Sequence, residues 1–550
     1  MESESPDTYG AFPRLSEAQI AALEARGRRR ATATDEVLYR EGEHCADFFV
    51  VLDGLVAVVE GLGDEERVIG VHGAGRFLGE LNLLTGQASF ASGVVREGGE
   101  VLAVPIEELR RLVADDTALG DLILRAAMLR RSMLIGLGVG LRIVGSRYSP
   151  DTRRLREFAA RNRLPHAWLD LERDDGAEAL LRQLGIAPEE TPVVIWRSSE
   201  VLRNPSNAEL AQAVGLGVAG AADDGVCDLV VVGSGPAGLA AAVYGASEGL
   251  ATVVLEAVAT GGQAGTSSRI ENYLGFPAGI SGSELAERAE IQADKFGARI
   301  RVPVAALGLE PADGHHLLKL DRDAELEARA VVIATGVRYR RLDLPRIDEF
   351  EGASVHYAAT ETEARMCAGD PIAVVGGGNS GGQATEFLSR YAGQVHLLVR
   401  EPDLDQCMSR YLADRVMRNP KVAVHTDTEV AALAGERVLE ALEVVDNRSG
   451  ERRRLAARAM FVFIGAEPQV EWLAGRLALD PGGHVLTGGD LGQGSRPLLE
   501  TNLPGVFAAG DVRSGSVNRV ASAVGEGAMA LRLVHAYLES GRRSGREIQT

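Results

Sequence analysis

Two glycine-rich stretches carry the spacing that holds a pyrophosphate. "VVVGSGPAGLAAAV" contains Gly233, Gly235 and Gly238, and "AVVGGGNSGGQATEF" contains Gly376, Gly378 and Gly381 at the same intervals. In such a turn the first glycine permits the tight bend, the second lets the backbone approach the phosphates, and the third lets helix and strand pack closely. Ser234, Pro236 and Ala237 complete the first turn, Asn379 and Ser380 the second. An acid follows the next strand in the first copy, Glu256, 18 residues beyond Gly238, and suits a ribose hydroxyl. In the second copy the strand ends in Arg400-Glu401. Two dinucleotide folds in one chain imply two dinucleotides.

A third stretch, "SVHYAATETEARMCAGD", precedes the second turn and brings His356, Ala358, Glu361 and Glu363 together. Thr360 and Glu363 have the Thr-x-x-Glu spacing of a capping box, so the acids have a structural reading as the start of a helix. Glu361, with His356 near it in sequence, also has a chemical reading as a proton-handling group. Cys367 lies one or two turns into that helix, with no second cysteine nearby, and fits core packing better than redox work.

The elements that must position these residues alternate strand and helix through an α/β multidomain chain of 550 residues, long enough for several domains. A net charge of −20 opposes a phosphate-backbone footprint, so nucleic acid is not an expected partner. Cys45, Cys227, Cys367 and Cys407 lie far apart, with no pair spaced for a metal or a redox dithiol. The N-terminus has no basic-then-apolar leader, and no run of about 18 apolar residues appears. The expected location is the cytoplasm, with no membrane partner; the expected assembly is a homodimer.

Residues 1–136 read as a helix, many short strands with glycine turns, and a helical tail from about 106: a small β-roll. "YREGEHCADFFVVLDGLVAVV" followed by "GRFLGELNLLTG" resembles the cyclic-nucleotide-binding domain family. The resemblance implies that Gly79 and Glu80 would meet a ribose, but "TGQASFASGVV" lacks the family's phosphate-binding arginine between Gly86 and Val95. An anion buried without a cation is costly, so a structural or docking role is expected instead. No helix-turn-helix follows.

Residues 137–216 run strand, helix, strand, helix, then "TPVVIW" and a last helix, and resemble thioredoxin and glutaredoxin. The resemblance would place two cysteines at the start of the first helix, where this chain has Ser149, Pro150, Asp151 and Thr152, and it implies a cis bond at Pro192. Ser149 and Thr152 read as helix-capping residues. "GLGVAGAADDG" gives a linker at 217–226.

From about 227 to 540 the ordered motifs resemble the thioredoxin reductase family of flavoproteins. The resemblance divides this part into an FAD-binding segment at 227–343, an inserted NAD(P)H-binding domain at 344–470 and a second FAD-binding segment at 471–550, with two Rossmann-like folds of the three-layer ββα type. It implies flavin contacts from Gly262, Gln263 and Asn272, from "VVIATG" (Ala334, Thr335, Gly336), from Gly510-Asp511, and from Arg519, Val520 and Ala521. Gly525 and Gly527 are expected to open the last helix. Gly465 is counted with the nicotinamide site. In that family Cys-Ala-Thr-Cys precedes the second fold; "YAATE" stands there, with Ala358 and Glu361 at the sulfur positions. Neither can enter thiol–disulfide exchange.

The expected function is therefore an FAD-dependent NAD(P)H oxidoreductase that passes electrons from the flavin directly to an unidentified acceptor or protein carrier. A ferredoxin or flavodoxin reductase-like enzyme and a non-turnover redox sensor remain alternatives. NADH and NADPH both remain open; Glu401, Asp403 and Asp405 would repel a 2′-phosphate and favour NADH.

Overall fold

The computed structural model describes residues 3–61, 66–80, 88–197, 200–216, 225–267, 269–270, 272–351, 354–357, 359, 361–436, 438–492 and 496–547, with backbone alone at 114, 175, 188, 348, 361, 362 and 541–547. Thr85, Gly86 and Gln87, most of the linker (217–224), Ala358 and Thr360 lie outside the described residues, as does the side chain of Glu361. The chain divides into two compact units. One is Met1–Asp224 with Glu256–Ala259 and Ile291–Val304; the other is Gly225–Leu255, Thr260–Glu290 and Ala305–Thr550.

In the first unit, Ser16 and Gln19 form a capping box that starts the helix Glu17–Glu24. The roll is built on two strands, Asp47–Glu60 and Ser92–Pro105, each of 14 residues and paired antiparallel along their length. Arg28–Thr32 and Arg67–His72 extend this sheet on either side. The sequence predicts many short strands, and Arg28–Thr32, Val37–Tyr39, Arg67–His72 and Phe77–Leu78 are short; the two long strands carry register irregularities between Val51 and Val56. Gly54, with φ +86, makes the irregularity possible, because a Cβ there would lie 2.4 Å from the Glu97 carbonyl oxygen. Asp116 caps the helix Thr117–Leu137 by accepting from Leu119 N–H at 3.0 Å, and Gly138 ends it in the left-handed conformation. That helix buries Leu119, Ile123, Ala126, Arg130 and Leu134.

The same unit contains a second sheet. Leu141–Gly145 runs parallel to His166–Asp170 and antiparallel to Val193–Trp196, which pairs with Glu200–Arg203. Ser149 caps the helix Pro150–Arg161, its hydroxyl accepting from Thr152 N–H at 3.2 Å, and the Thr191–Pro192 peptide is cis. Phe90 of the roll meets Trp196 edge-on at 5.2 Å.

The second unit has two parallel sheets. In one, Cys227–Val232 lies between Thr252–Leu255 and Glu325–Ile333, both parallel to it; Glu325–Ile333 also pairs with Val506–Ala508 and with His315–Leu320 of an antiparallel hairpin. Leu229, Val230 and Val231 are fully buried, which explains their unbroken apolar run. Each such side chain contributes about 1.5–3 kcal/mol. In the other sheet the order is Val355–His356, Ala459–Val462, Pro371–Val375, Gln394–Leu398, Val422–His425, all parallel. A three-stranded antiparallel sheet, Thr428–Ala434, Ala441–Asp446 and Arg452–Ala456, accompanies it. Val337–Tyr339 and Ala466–Pro468 pair antiparallel where the chain passes between the two folds.

Candidate functional site

The two glycine turns adopt the same local geometry. Gly233 has φ +101 and Gly376 φ +125, and a Cβ on either would strike a backbone carbonyl oxygen of the neighbouring strand end, Ala334 at 2.4 Å and Phe463 at 2.2 Å. Gly238 and Gly381 lie under their turns so closely that a Cβ would sit 1.9 and 2.1 Å from the Gly233 and Gly376 carbonyls. The helices Pro236–Ser247 and Asn379–Leu388 then begin at Gly235 and Gly378, neither with a side-chain cap. Their first N–H groups, with the helix dipole behind them, form an anion site.

Around the first turn, Gly261 N–H donates to the Ser234 carbonyl at 2.9 Å and brings Gly262 against Gly235. Gln263 donates through Nε2 to the Val337 carbonyl at 3.3 Å. Gly510 lies where a Cβ would meet that of Ala237 at 2.9 Å. Glu526, which the sequence reading missed, accepts from Gly510 N–H at 2.7 Å and pairs with Arg513 at 2.6 Å, bracing the turn that carries Asp511. Burial first, then Glu526, pushes the Asp511 carboxyl up, while His484 pulls it down; burial and Asp511 together raise the Tyr339 hydroxyl. Asn272, Arg519 and Ala521 are exposed, and Val520 is the first residue of the helix Val520–Glu547. Gly525 and Gly527 thus lie inside that helix instead of opening it. Gly527 is its contact with the helix Pro236–Ser247, since a Cβ would lie 2.2 Å from the Ala237 carbonyl. Glu256, next to the strand end, accepts from Val258 N–H at 3.0 Å.

Around the second turn, Asn379 accepts through Oδ1 from Ser409 N–H at 2.8 Å, and Ser380 is exposed. Arg400 pairs with Glu401 at 3.3 Å. Thr335 donates to the Gln469 carbonyl at 2.8 Å, Gln469 N–H to the Gly336 carbonyl at 3.1 Å, and Arg340 N–H to the Gly465 carbonyl at 2.9 Å, so the two chain crossings are tied together.

In the third stretch, His356 pairs in register with Phe461 and its ring lies 5.1 Å from that of Phe461. The helix begins at Glu361. No disulfide joins any of the four cysteines. Cys367 is buried in the core with Ile372, Leu388 and Phe461, donates to the Glu363 carbonyl at 3.2 Å, and burial pushes its thiol up to about 11.

The sequence profile of the pyridine nucleotide-disulphide oxidoreductases matches residues 227–527, the span that holds both turns. The chain belongs to this family. A thioredoxin reductase of Streptomyces clavuligerus is 34% identical over 314 residues, 57% of this chain and 94% of that protein. A 34.2 kDa protein in the rubredoxin operon of Clostridium pasteurianum is 32% identical over 311 residues, 56% and 97% of the two chains. The solved thioredoxin reductase of Lactococcus lactis, in its FR conformation, superposes with a TM-score of 0.53 at 27% identity, covering 57% of this chain and 99% of that one. Residues 29–116 match the cyclic nucleotide-binding domain family.

This pyridine nucleotide-disulphide oxidoreductase is thus a flavin-dependent oxidoreductase of the thioredoxin reductase family with an N-terminal cyclic-nucleotide-binding-type β domain, and the family implies FAD and NAD(P)H. The residues present fit both groups: each uncapped helix start faces room, for a Cβ at Gly235 would meet only Gly262 at 3.9 Å and one at Gly378 nothing within 4 Å. Among the described residues no helix is long and apolar enough to cross a membrane.

Proposed function

We propose that this chain is an FAD-dependent NAD(P)H oxidoreductase without a dithiol relay, in which two electrons arrive as hydride from the nicotinamide and leave for an acceptor other than a protein disulfide. FAD, when bound at the first turn, supplies the two-electron carrier. Gly233 to Gly238 would hold its pyrophosphate, Asp511 its ribityl chain, and Gln263 would contact the flavin; Gly376 to Gly381 would hold the nicotinamide dinucleotide. What supports the reading is the sulfur inventory: the resemblance puts Ala358 and Glu361 at the family's thiol positions, and Cys367 is a buried thiol that burial pushes up to about 11. The Arg400–Glu401 pair supports NADH as the preferred donor, because the guanidinium is engaged by a carboxylate that a 2′-phosphate would have to displace.

The sheet of residues 141–203, with its parallel pair Leu141–Gly145 and His166–Asp170 flanked by antiparallel strands, supports a thioredoxin-like reading of this part of the chain. Ser149 acts there as a helix cap, so this module is redox-inert in the proposal. The test is steady-state turnover with NADH and NADPH against thioredoxin, small disulfides, quinones, ferricyanide and oxygen. Turnover with a non-disulfide acceptor and none with thioredoxin is expected; rapid thioredoxin reduction refutes the proposal.

A further inference from the structure

The roll and the helix Thr117–Leu137 line a pocket of about 60 Å³. Three ionisable side chains that line it are more than nine-tenths buried: His72 at 1% exposure, Glu80 at 2% and Arg130 at 7%. Arg130 reaches in from the helix Thr117–Leu137. Its Nε donates to the Ala11 carbonyl at 2.7 Å, and its Nη1 donates to the Phe77 carbonyl at 3.0 Å and to Glu80 Oε1 at 2.7 Å. The guanidinium lies over the rings of Phe77 and Phe12, at 4.7 and 5.3 Å.

One atom of each polar group is left over. Among the described residues, Arg130 Nη2, Glu80 Oε2 and His72 Nδ1 have no hydrogen-bond partner. Buried polar atoms are nearly always satisfied, and three unsatisfied ones on side chains that line one pocket point to a ligand or to ordered water. Ser89 and the Tyr39 hydroxyl add two further polar groups, and most of the remaining wall, including Leu78, Phe90 and Leu134, is apolar. Charge narrows the choice. Arg130 is already neutralised by Glu80, so an entering anion meets the Glu80 carboxylate and an entering cation meets Arg130. Burial, then Arg130 and Arg76, keeps His72 neutral. A single hydroxyl can donate to Glu80 Oε2 while accepting from Arg130 Nη2.

We propose that this cavity binds the hydroxyl end of a small, neutral, mostly apolar molecule, and that the Glu80–Arg130 pair selects it against anions, cyclic nucleotides included. Phe90 and Leu134 line the cavity and also pack into the core around Trp196, so an occupant would touch side chains shared with the neighbouring sheet.

The test uses the full-length flavin-loaded protein and three probes with one apolar body: 1-butanol, butyrate and butylammonium, with cyclic AMP as a fourth. Ligand-observed saturation-transfer NMR measures Kd for each. The expected result is saturable binding of 1-butanol at least tenfold tighter than either charged analogue, no cyclic AMP binding, and loss of the 1-butanol signal in Ala91→Leu, which fills the chamber. Glu80→Gln, which leaves Arg130 uncompensated, should reverse the order in favour of butyrate. Absence of saturable 1-butanol binding means that water alone meets the three atoms and overturns the proposal, as does tighter binding of butyrate or cyclic AMP to the unmodified protein. If either variant fails to fold, the order of the four probes on the unmodified protein decides the matter.

Discussion

Gly378→Ala separates the cofactor's demand on the second turn from the fold's. Gly378 has φ −74 and ψ 175, extended backbone that alanine adopts freely, and its Cβ would meet no protein atom within 4 Å. The fold loses only the difference between glycine and alanine at an N-cap, at most about 1 kcal/mol. The methyl nevertheless stands at the uncapped helix start, on the path of a pyrophosphate approaching the backbone N–H groups. Losing one charge-assisted hydrogen bond there costs about 1.5–3 kcal/mol, which raises Kd for NADH about 10- to 150-fold. Gly381→Ala is the contrast: its Cβ would lie 2.1 Å from the Gly376 carbonyl oxygen, so the turn must shift, at about 1–3 kcal/mol of stability. Anaerobic stopped-flow flavin reduction against NADH concentration gives Kd, and thermal unfolding gives stability. An unchanged Kd in Gly378→Ala, or a loss of stability equal to that of Gly381→Ala, refutes the assignment of this turn.

Two further outcomes follow from the same domain. Glu401→Arg should move the ratio of kcat/KM values toward NADPH, and a wild-type preference for NADPH of tenfold, about 1.4 kcal/mol, contradicts the reading of Glu401. His396 Nδ1 and His425 Nε2 lie 3.1 Å apart; burial, then His396, then Arg453 lower His425 to about 4. Because the folded value lies below the ordinary 6.5, the unfolded chain binds more protons between them, so stability is complete above about 6.5 and is lost as pH falls toward 4. Denaturant unfolding at pH 7 and pH 5 should show this loss shrinking in His425→Gln; an unchanged loss means that other groups cause it.

The features legible in the sequence are local ones. Both glycine turns, the Ser149 cap and the helix beginning at Glu361 depend on neighbours within a few residues, where spacing and backbone chemistry decide the outcome. Contacts made across the fold were not legible. Arg130 lies 50 residues from Glu80, on the helix after the roll, and no local spacing around Gly86 marks it as the partner of Glu80. Glu526 reaches Gly510 in the same way, from the last helix. Gly525 and Gly527 misled in the opposite sense: glycine inside a helix costs about 1 kcal/mol against alanine, which argues for a helix start. Gly527 is kept inside because the helix crossing at Ala237 leaves no room for a Cβ.

The central claim is that electrons leave without a protein dithiol, and the number of electrons the protein stores tests it most directly. A flavin with a redox-active disulfide takes up four electrons; a flavin alone takes up two. Anaerobic titration of the full-length protein with NADH, followed by flavin absorbance and by thiol counting before and after, should end at one NADH per flavin with no new thiol. An end point of two NADH per flavin, with two thiols gained, would contradict the account.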